Sequence, residues 1–452
     1  MITIKKTLAA ATAIAATTFA LSGSPIAYAA HHEASGEVEG RIAELERQLA
    51  ELKAMMESNT TAIESNAEEI EEVRPMRDGT KFTYGGYVQL DSITSDYQEG
   101  DPGNRLIDDF LVPSLIPVEP VEGNGDSYTT TNIHAKSSRF YFTTDTDTDV
   151  GRISSRIELD FMLSRNGDER ISNSWNSRIR HAYVKWDYGE NKSLLAGQTW
   201  STFFNVAALP DLLDFVGPVG TIFDRQPLVR WTNGPWQFSF ENAATRLNEV
   251  KDGLPQIRLD DSEDLPDVVV RYNGKAGDLN WSLAAIGRQL SFEDRSDGAA
   301  FELASDEQYG YGVSLAGKWM FGKDDLRFMV SYGDALGRYL GLNSYNDGYI
   351  DDSGEIQTID QWGAFVAYQH YWTPRWRSTL SVSASGADNP DVNDFMDAGS
   401  LNKSYQSAQV NLNFLPTPRM QIGGELGYGY RELQDGRDGE VYRVQFAVKH
   451  AF

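Results

Sequence analysis

From residue 80 to the last residue, Phe452, apolar side chains recur at every second position in blocks separated by turn residues. A period of two means strand, because successive side chains of a strand point to opposite faces. The block at 150–164 is the cleanest. Ile153, Ile157, Leu159, Phe161 and Leu163 fall on one face, and Arg152, Arg156, Glu158 and Asp160 fall on the other. A soluble sandwich and a membrane barrel write the same local pattern, so the choice rests on what lies between the blocks. Connections alternate in length. Those at 145–148, 189–191, 233–235, 276–278, 321–324, 373–375 and 415–418 are short and rich in Gly, Asn, Asp or Pro. Between them lie stretches such as 95–132, 243–267, 289–308 and 333–360. Long loops are uncommon in a compact soluble domain and expected on the outer side of an outer-membrane barrel.

Aromatic residues gather at strand ends: Trp186 and Tyr188, Trp231 and Trp236, Trp319 and Phe321, Trp372 and Trp376. Such girdles mark the membrane interface. The last strand, read back in twos from Phe452, gives His450, Val448, Phe446, Val444 and Tyr442. This resembles the terminal signature of bacterial outer-membrane barrels, with His450 as a departure. The pattern predicts an all-β transmembrane barrel of sixteen antiparallel strands over 80–452, with seven short turns, eight long loops and both ends on the periplasmic side. In lipid the sheet must close, since open edges leave backbone groups unpaired.

The start of the chain reads differently. Lys5 and Lys6, an Ala-rich apolar run to Leu21, a break at 22–25 and Ala27-Tyr28-Ala29 form a secretory signal peptide over 1–29. The run is short for a spanning helix. Residues 30–79 hold a heptad pattern that Pro75 ends. Ile42, Leu49, Met56, Ile63 and Ile70 form one seam; Val38, Leu45, Leu52, Asn59, Asn66 and Val73 form the other. Asn at a seam costs stability and fixes register and oligomer state. The stretch 59–66 resembles the stalks of trimeric autotransporter adhesins, which implies a homotrimer. A single amphipathic helix lying on a domain is the plainer alternative.

Composition narrows the function. Asp plus Glu total 66 against 40 Lys plus Arg, for a formal charge of -26. A nucleic-acid partner would need a basic footprint. The absence of cysteine removes disulfides, thiolate metal sites and cysteine nucleophiles. Neither cofactor nor metal centre is expected. Acids cluster in the outer loops (Asp101, Asp108, Asp109; Asp260, Asp261, Glu263, Asp264; Asp351, Asp352, Glu355; Asp388, Asp391, Asp394, Asp397), where a solvated surface is the plainer reading and a divalent cation the sharper one.

The faces opposite the apolar ones carry the other sign. They offer Arg139, Arg152, Arg156, Lys185, Arg230, Arg271, Arg288, Arg327, Arg443 and Lys449 against Asp91, Glu158, Asp160, Asp187, Glu241 and Glu425. Guanidinium groups match carboxylates, and rings of Arg and Lys are how anion pores select. Each such arginine has an alternative role as the partner of a nearby acid. Arg178 and Arg180 fall on the lipid parity of their strand, which calls for a position above the bilayer or for a bulge. The segment 203–225 is apolar and poor in charge, so it is expected to fold into the barrel as a constriction loop. Asp211, Asp214 and Asp224 would then face Arg225 and the basic wall; the alternative is a loop at the trimer interface.

Ser138-Arg139-Phe140, Arg180-His181-Ala182-Tyr183, residues 196–203 (AGQTWSTF) and 224–231 (DRQPLVRW), in this order after a signal and a short coiled coil, resemble the DcaP-like porin family. The resemblance implies a trimeric outer-membrane porin that takes up small anions, dicarboxylates and related aromatic acids among them. Expected partners are small anionic solutes, outer-membrane lipid and lipopolysaccharide, and cell wall reached by a periplasmic coiled coil. Two other functions remain open on the sequence. One is a barrel-anchored structural tether, adhesin-like. The other is an outer-membrane hydrolase built on His134, His181 or His370, although no G-x-S-x-G elbow is present.

Overall fold

The computed structural model describes residues 79–123, 125–163, 175–251, 253–260, 262–293, 305–391, 395 and 397–452. The expected signal peptide and coiled coil, with Leu45, Leu52, Asn59, Ile63, Asn66 and Ile70, lie outside the described residues.

The wall strands are β1 (Thr80–Tyr97), β2 (Tyr128–His134), β3 (Arg139–Thr148), β4 (Gly151–Asp160), β5 (Arg178–Gly189), β6 (Lys192–Trp200), β7 (Arg225–Asn233) and β8 (Trp236–Glu241). After the outer hairpin β9 (Thr245–Lys251) and β10 (Leu254–Asp260) come β11 (Asp267–Ala276), β12 (Leu279–Glu293), β13 (Ser305–Phe321) and β14 (Asp324–Asp334). The short strands β15 (Gly348–Ile350) and β16 (Ile356–Thr358) precede β17 (Asp360–Thr373), β18 (Trp376–Asp388), β19 (Asn402–Thr417), β20 (Met420–Leu433) and β21 (Asp438–Ala451).

Seventeen segments share one sheet. β2 and β3 both pair with β1, the first opposite Asp91–Tyr97 and the second opposite Thr80–Tyr87. They therefore form one wall interrupted at 135–138, and the barrel has sixteen walls. It closes where β21 pairs with β1, from Tyr87 opposite Ala451 to Tyr97 opposite Val441.

Burial identifies the solvent. Within the walls Val330, Leu426 and Phe446 are 53%, 58% and 62% exposed, while their sequence neighbours Ser331, Glu425 and Gln445 are 1%, 5% and 5% exposed. A soluble sandwich buries the apolar face and wets the polar one. Here the polar face is enclosed and an apolar band faces outward, which is stable only in lipid. The expected girdle residues sit on that outer face at the short-turn end, where the Trp231 indole donates to the Tyr188 hydroxyl at 2.6 Å.

The chain enters and leaves at the short-turn end. Seven connections at the other end are long. The eighth spans only 434–437, a turn with Gly436 at φ 89° and Arg437 bonded to Asp435, so the expectation of eight long loops is corrected. Asp-Gly supplies the tight turn there. The fourth and sixth outer loops contribute a small separate sheet in the order β10-β9-β15-β16.

The apolar core lies inside the barrel. It joins Ile107, Phe110 and Leu111 of the first outer loop, Phe203, Phe204, Val216, Val219 and Ile222 of the third, and Leu336, Tyr339 and Leu340 of the sixth. Phe110 packs on Phe215 at 5.8 Å and Phe203 on Tyr339 at 5.8 Å between ring centroids.

Candidate functional site: a loop across the barrel and an arginine wall

The third outer loop, 201–224, crosses the lumen and seats on the far wall. The Leu213 and Asp214 amides donate to the Glu425 carboxylate at 2.8 and 3.1 Å. The Val219 amide donates to Ser407 at 3.3 Å, Asn205 Nδ2 to Ser282 at 2.8 Å, and Asn411 Nδ2 to the Asp211 carbonyl at 2.8 Å. Gln445 Nε2 reaches the Leu213 carbonyl at 3.1 Å. These partners sit on β12, β19, β20 and β21, whose inward faces are rich in Ser, Asn and Gln. Such side chains can meet backbone N–H and C=O groups without the desolvation cost of a buried charge.

The wall on the loop's own side, β3 to the start of β7, is charged. Glu158 takes Arg156 at 2.6 Å, Arg180 at 2.9 Å and Arg139 at 3.3 Å. Asp160 takes Arg178 and Arg180, each at 2.6 Å. Arg225 lies 4.6 Å from the Trp200 ring, feels most strongly the charges of Arg180, Arg178 and Asp160, and has no carboxylate ion pair among the described residues. Four guanidinium groups thus share two carboxylates and Arg225 stands beside them unpaired, an excess of three positive charges. Aromatic faces interleave with them: Tyr141 under Arg156 at 4.2 Å, Tyr87 under Arg139 at 5.2 Å, and Phe215 of the loop against Arg180 and Arg178 at 5.5 and 5.8 Å. At Phe215 the loop and the basic wall touch. From Asp160 down to Arg152 the wall runs about 26 Å at strand rise.

Arg178 and Arg180 reach this wall through a bulge, where β5 shifts register against β4 between Glu158 and Leu159. The sequence carries the mark. Apolar positions 182, 184 and 186 keep one parity and Ile179 has the other.

The remaining candidates divide by task. Arg152 (with Asp145, 3.0 Å) and Lys185 (with Asp187, 2.7 Å) stand exposed near the short-turn mouth. Arg230, Arg271, Arg327 and Arg443 are inward but hold loops. Arg230 bonds Thr202 at 2.6 Å and the Trp200 carbonyl, Arg271 the Phe204 carbonyl at 2.8 Å, Arg327 the Leu209 carbonyl at 2.5 Å, and Arg443 the Ile107 carbonyl at 3.0 Å. Arg288 is sealed between Asp347 at 2.7 Å and Asp267 at 3.3 Å, anchoring the sixth loop. The loop acids do not pair with Arg225 or the basic wall as expected, although Asp211 and Asp214 line a cavity with Arg139. Asp211 pairs with Arg377 at 2.7 Å, Asp214 accepts the Leu111 amide at 2.8 Å, and Asp224 accepts the Arg225 amide at 2.9 Å and lies 3.7 Å from Arg338. The cause is local demand: carboxylates of a loop enclosed in the barrel are taken by the nearest backbone N–H groups, amides and guanidinium groups. Asp108 and Asp109 are likewise buried, Asp109 against Lys136 at 2.9 Å.

His134 meets the Asp109 carbonyl at 3.4 Å, His181 the Thr199 hydroxyl at 3.0 Å and His370 the Asp324 carboxylate at 2.8 Å. Among the described residues no group of three His, Cys, Asp or Glu is placed to hold a metal ion.

A family model for the DcaP outer membrane protein matches residues 49–452. The chain belongs to the DcaP outer membrane protein family. The crystal structure of the outer membrane channel DcaP of Acinetobacter baumannii superposes with a TM-score of 0.66 at 22% identity, covering 83% of this chain and 98% of that one. OmpF of Salmonella typhi follows at 12% identity and TM-score 0.49, over 83% and 98% of the two chains. The trimer form of OmpT of Vibrio cholerae gives 11% and 0.48, over 83% and 100%. No curated protein matches the sequence. Membership of the DcaP family and the closed barrel make this a porin-type channel of the Gram-negative outer membrane.

Proposed function

We propose that this DcaP-family channel is a passive, anion-selective pore for small solutes such as dicarboxylates, and not an enzyme. The observation that carries the reading is the arginine wall: Arg139, Arg156, Arg178, Arg180 and Arg225 against Glu158 and Asp160. In an enclosed, low-dielectric passage such an excess raises local anion concentration and repels cations. Planar guanidinium forks fit carboxylates two bonds at a time. Phe215, Tyr141, Tyr87 and Trp200 offer faces to the organic part of the solute.

The working molecule in this reading is a homotrimer whose residues 1–29 are removed and whose residues 30–79 form a periplasmic coiled coil with its seam at Leu45, Leu52, Asn59, Ile63, Asn66 and Ile70. Residues 80–452 form the pore. Reversal potentials in planar bilayers under a KCl gradient test the selectivity. Wild type is expected to prefer chloride. Arg156→Gln with Arg225→Gln, which removes two positive charges and leaves each acid another arginine, should move the potential toward zero by several millivolts or more. A cation-selective wild type sinks the proposal.

A further inference from the structure

Below the third loop, on the short-turn side, the lumen holds a cavity of about 110 Å³. Its floor and sides come from β1, β3, β20 and β21 through Tyr87, Gln89, Arg139, Gln421 and Lys449, and its roof from loop residues 211–215. Its level is fixed by register: Tyr87 lies opposite Ala451, whose amide bonds the Arg419 carbonyl in the last short turn at 2.8 Å.

Two cations meet one aromatic ring here. The Lys449 ammonium lies 4.2 Å from the Tyr87 ring centroid and the Arg139 guanidinium 5.2 Å from it. Lys449 has no carboxylate partner within ion-pair distance among the described residues. The acids of the lining are occupied. Asp211 is paired with Arg377 at 2.7 Å, and Asp214 accepts the amides of Leu111, Val216 and Gly217 at 2.8, 3.2 and 3.3 Å. Arg139 gives only its Nε to Glu158, at 3.3 Å without hydrogen-bond alignment, and that nitrogen is buried without a hydrogen-bond partner. The cavity therefore presents cationic donors that lack an acceptor, beside neutral amides from Gln89 and Gln421.

We propose that this cavity is a further anion subsite, built on Lys449 and sharing Arg139 with the arginine wall, on the periplasmic side of the loop, that takes one carboxylate or phosphate group. At about 110 Å³ it has room for the head of an anion. An ammonium is a compact point charge that suits phosphate, and the guanidinium beside it supplies directed donors. The subsite rests on the anion-pore reading. A solute leaving the arginine wall would be handed to Lys449 before it enters the periplasm.

The test uses the full-length channel in a planar bilayer with inorganic phosphate as the probe. Phosphate added at the short-turn side is expected to lower chloride current saturably, and from the outer side to require a higher concentration. Lys449→Met should raise the half-blocking concentration tenfold or more, while Lys449→Arg should stay within about threefold of wild type. Gln421→Glu, which sets a carboxylate in the same cavity from another strand, should also abolish the block. Single-channel openings in KCl verify that each variant inserts. Equal phosphate sensitivity in wild type and Lys449→Met overturns the subsite, as does the absence of any block in wild type. A channel that prefers chloride yet shows neither effect removes the subsite and leaves the anion pore standing; a cation-preferring channel removes the pore reading itself.

Discussion

At the level of single residues, the arginines of the lumen do two unlike jobs. Those on β3, β4 and β5, with Arg225 at the start of β7, keep donor capacity toward the passage; Arg230, Arg271, Arg288, Arg327 and Arg443 give theirs to loop hydroxyl and carbonyl groups. Arg288 is the extreme case, enclosed by Asp267 and Asp347 and also bonded to the carbonyls of Ala335 and Ala244. Arg288→Met would leave Asp347 buried without a cation and Asp267 with only Arg338 at 3.6 Å, a loss of about 3–5 kcal/mol. The expected outcome is a lower midpoint for unfolding and faster protease cleavage within 335–359; an unchanged midpoint would refute the anchoring role. Parity alone could place Arg156 and Glu158 on the inward face. It could not say which inward arginine meets a solute and which meets a carbonyl, because that depends on where a loop from elsewhere in the chain comes to rest. Arg178 and Arg180 were legible only to the extent that Ile179 breaks the parity of 182–186.

At the level of elements, the strands were readable and the loops were not. A strand's two faces answer to two solvents, so its pattern repeats in the sequence. A loop answers to whichever wall it meets. The apolar, charge-poor run 203–225 did signal that this loop would leave water, but its seat on Glu425 and on Ser, Asn and Gln side chains could not be foreseen from its own residues. One close approach is glycine to glycine. A Cβ on Gly363 would lie 2.4 Å from the Gly220 carbonyl, and Gly220 itself has φ 69°. Gly363→Val is therefore expected to push the loop off β17 and to widen or destabilise the passage, seen as larger or noisier single-channel current. Unaltered current would show that the loop tolerates displacement there. The interruption of the second wall at 135–138 has a comparable origin: Lys136 turns in to meet Asp109, and Ser137 donates to Asp91 at 2.6 Å.

At the level of the whole molecule, the charge is sorted rather than balanced. The chain's formal charge is -26, yet one inner wall carries three excess positive charges. Fields from such an arrangement are screened over about 10 Å at 0.1 M salt and about 3 Å at 1 M. Chloride preference should accordingly weaken as KCl rises between those concentrations; a preference independent of salt would mean that size, and not charge, selects.

The loop's placement has a mechanical corollary. A closed sheet of sixteen walls surrounds an interior too wide for its own wall side chains to fill. The third outer loop bonds Glu425, Ser407, Ser282, Asn411 and Gln445 on one side and abuts Arg178 and Arg180 on the other. It spans that interior as a cross-brace. The size of the opening is then written in the length of a 24-residue span, 201–224, more than in the number of strands around it.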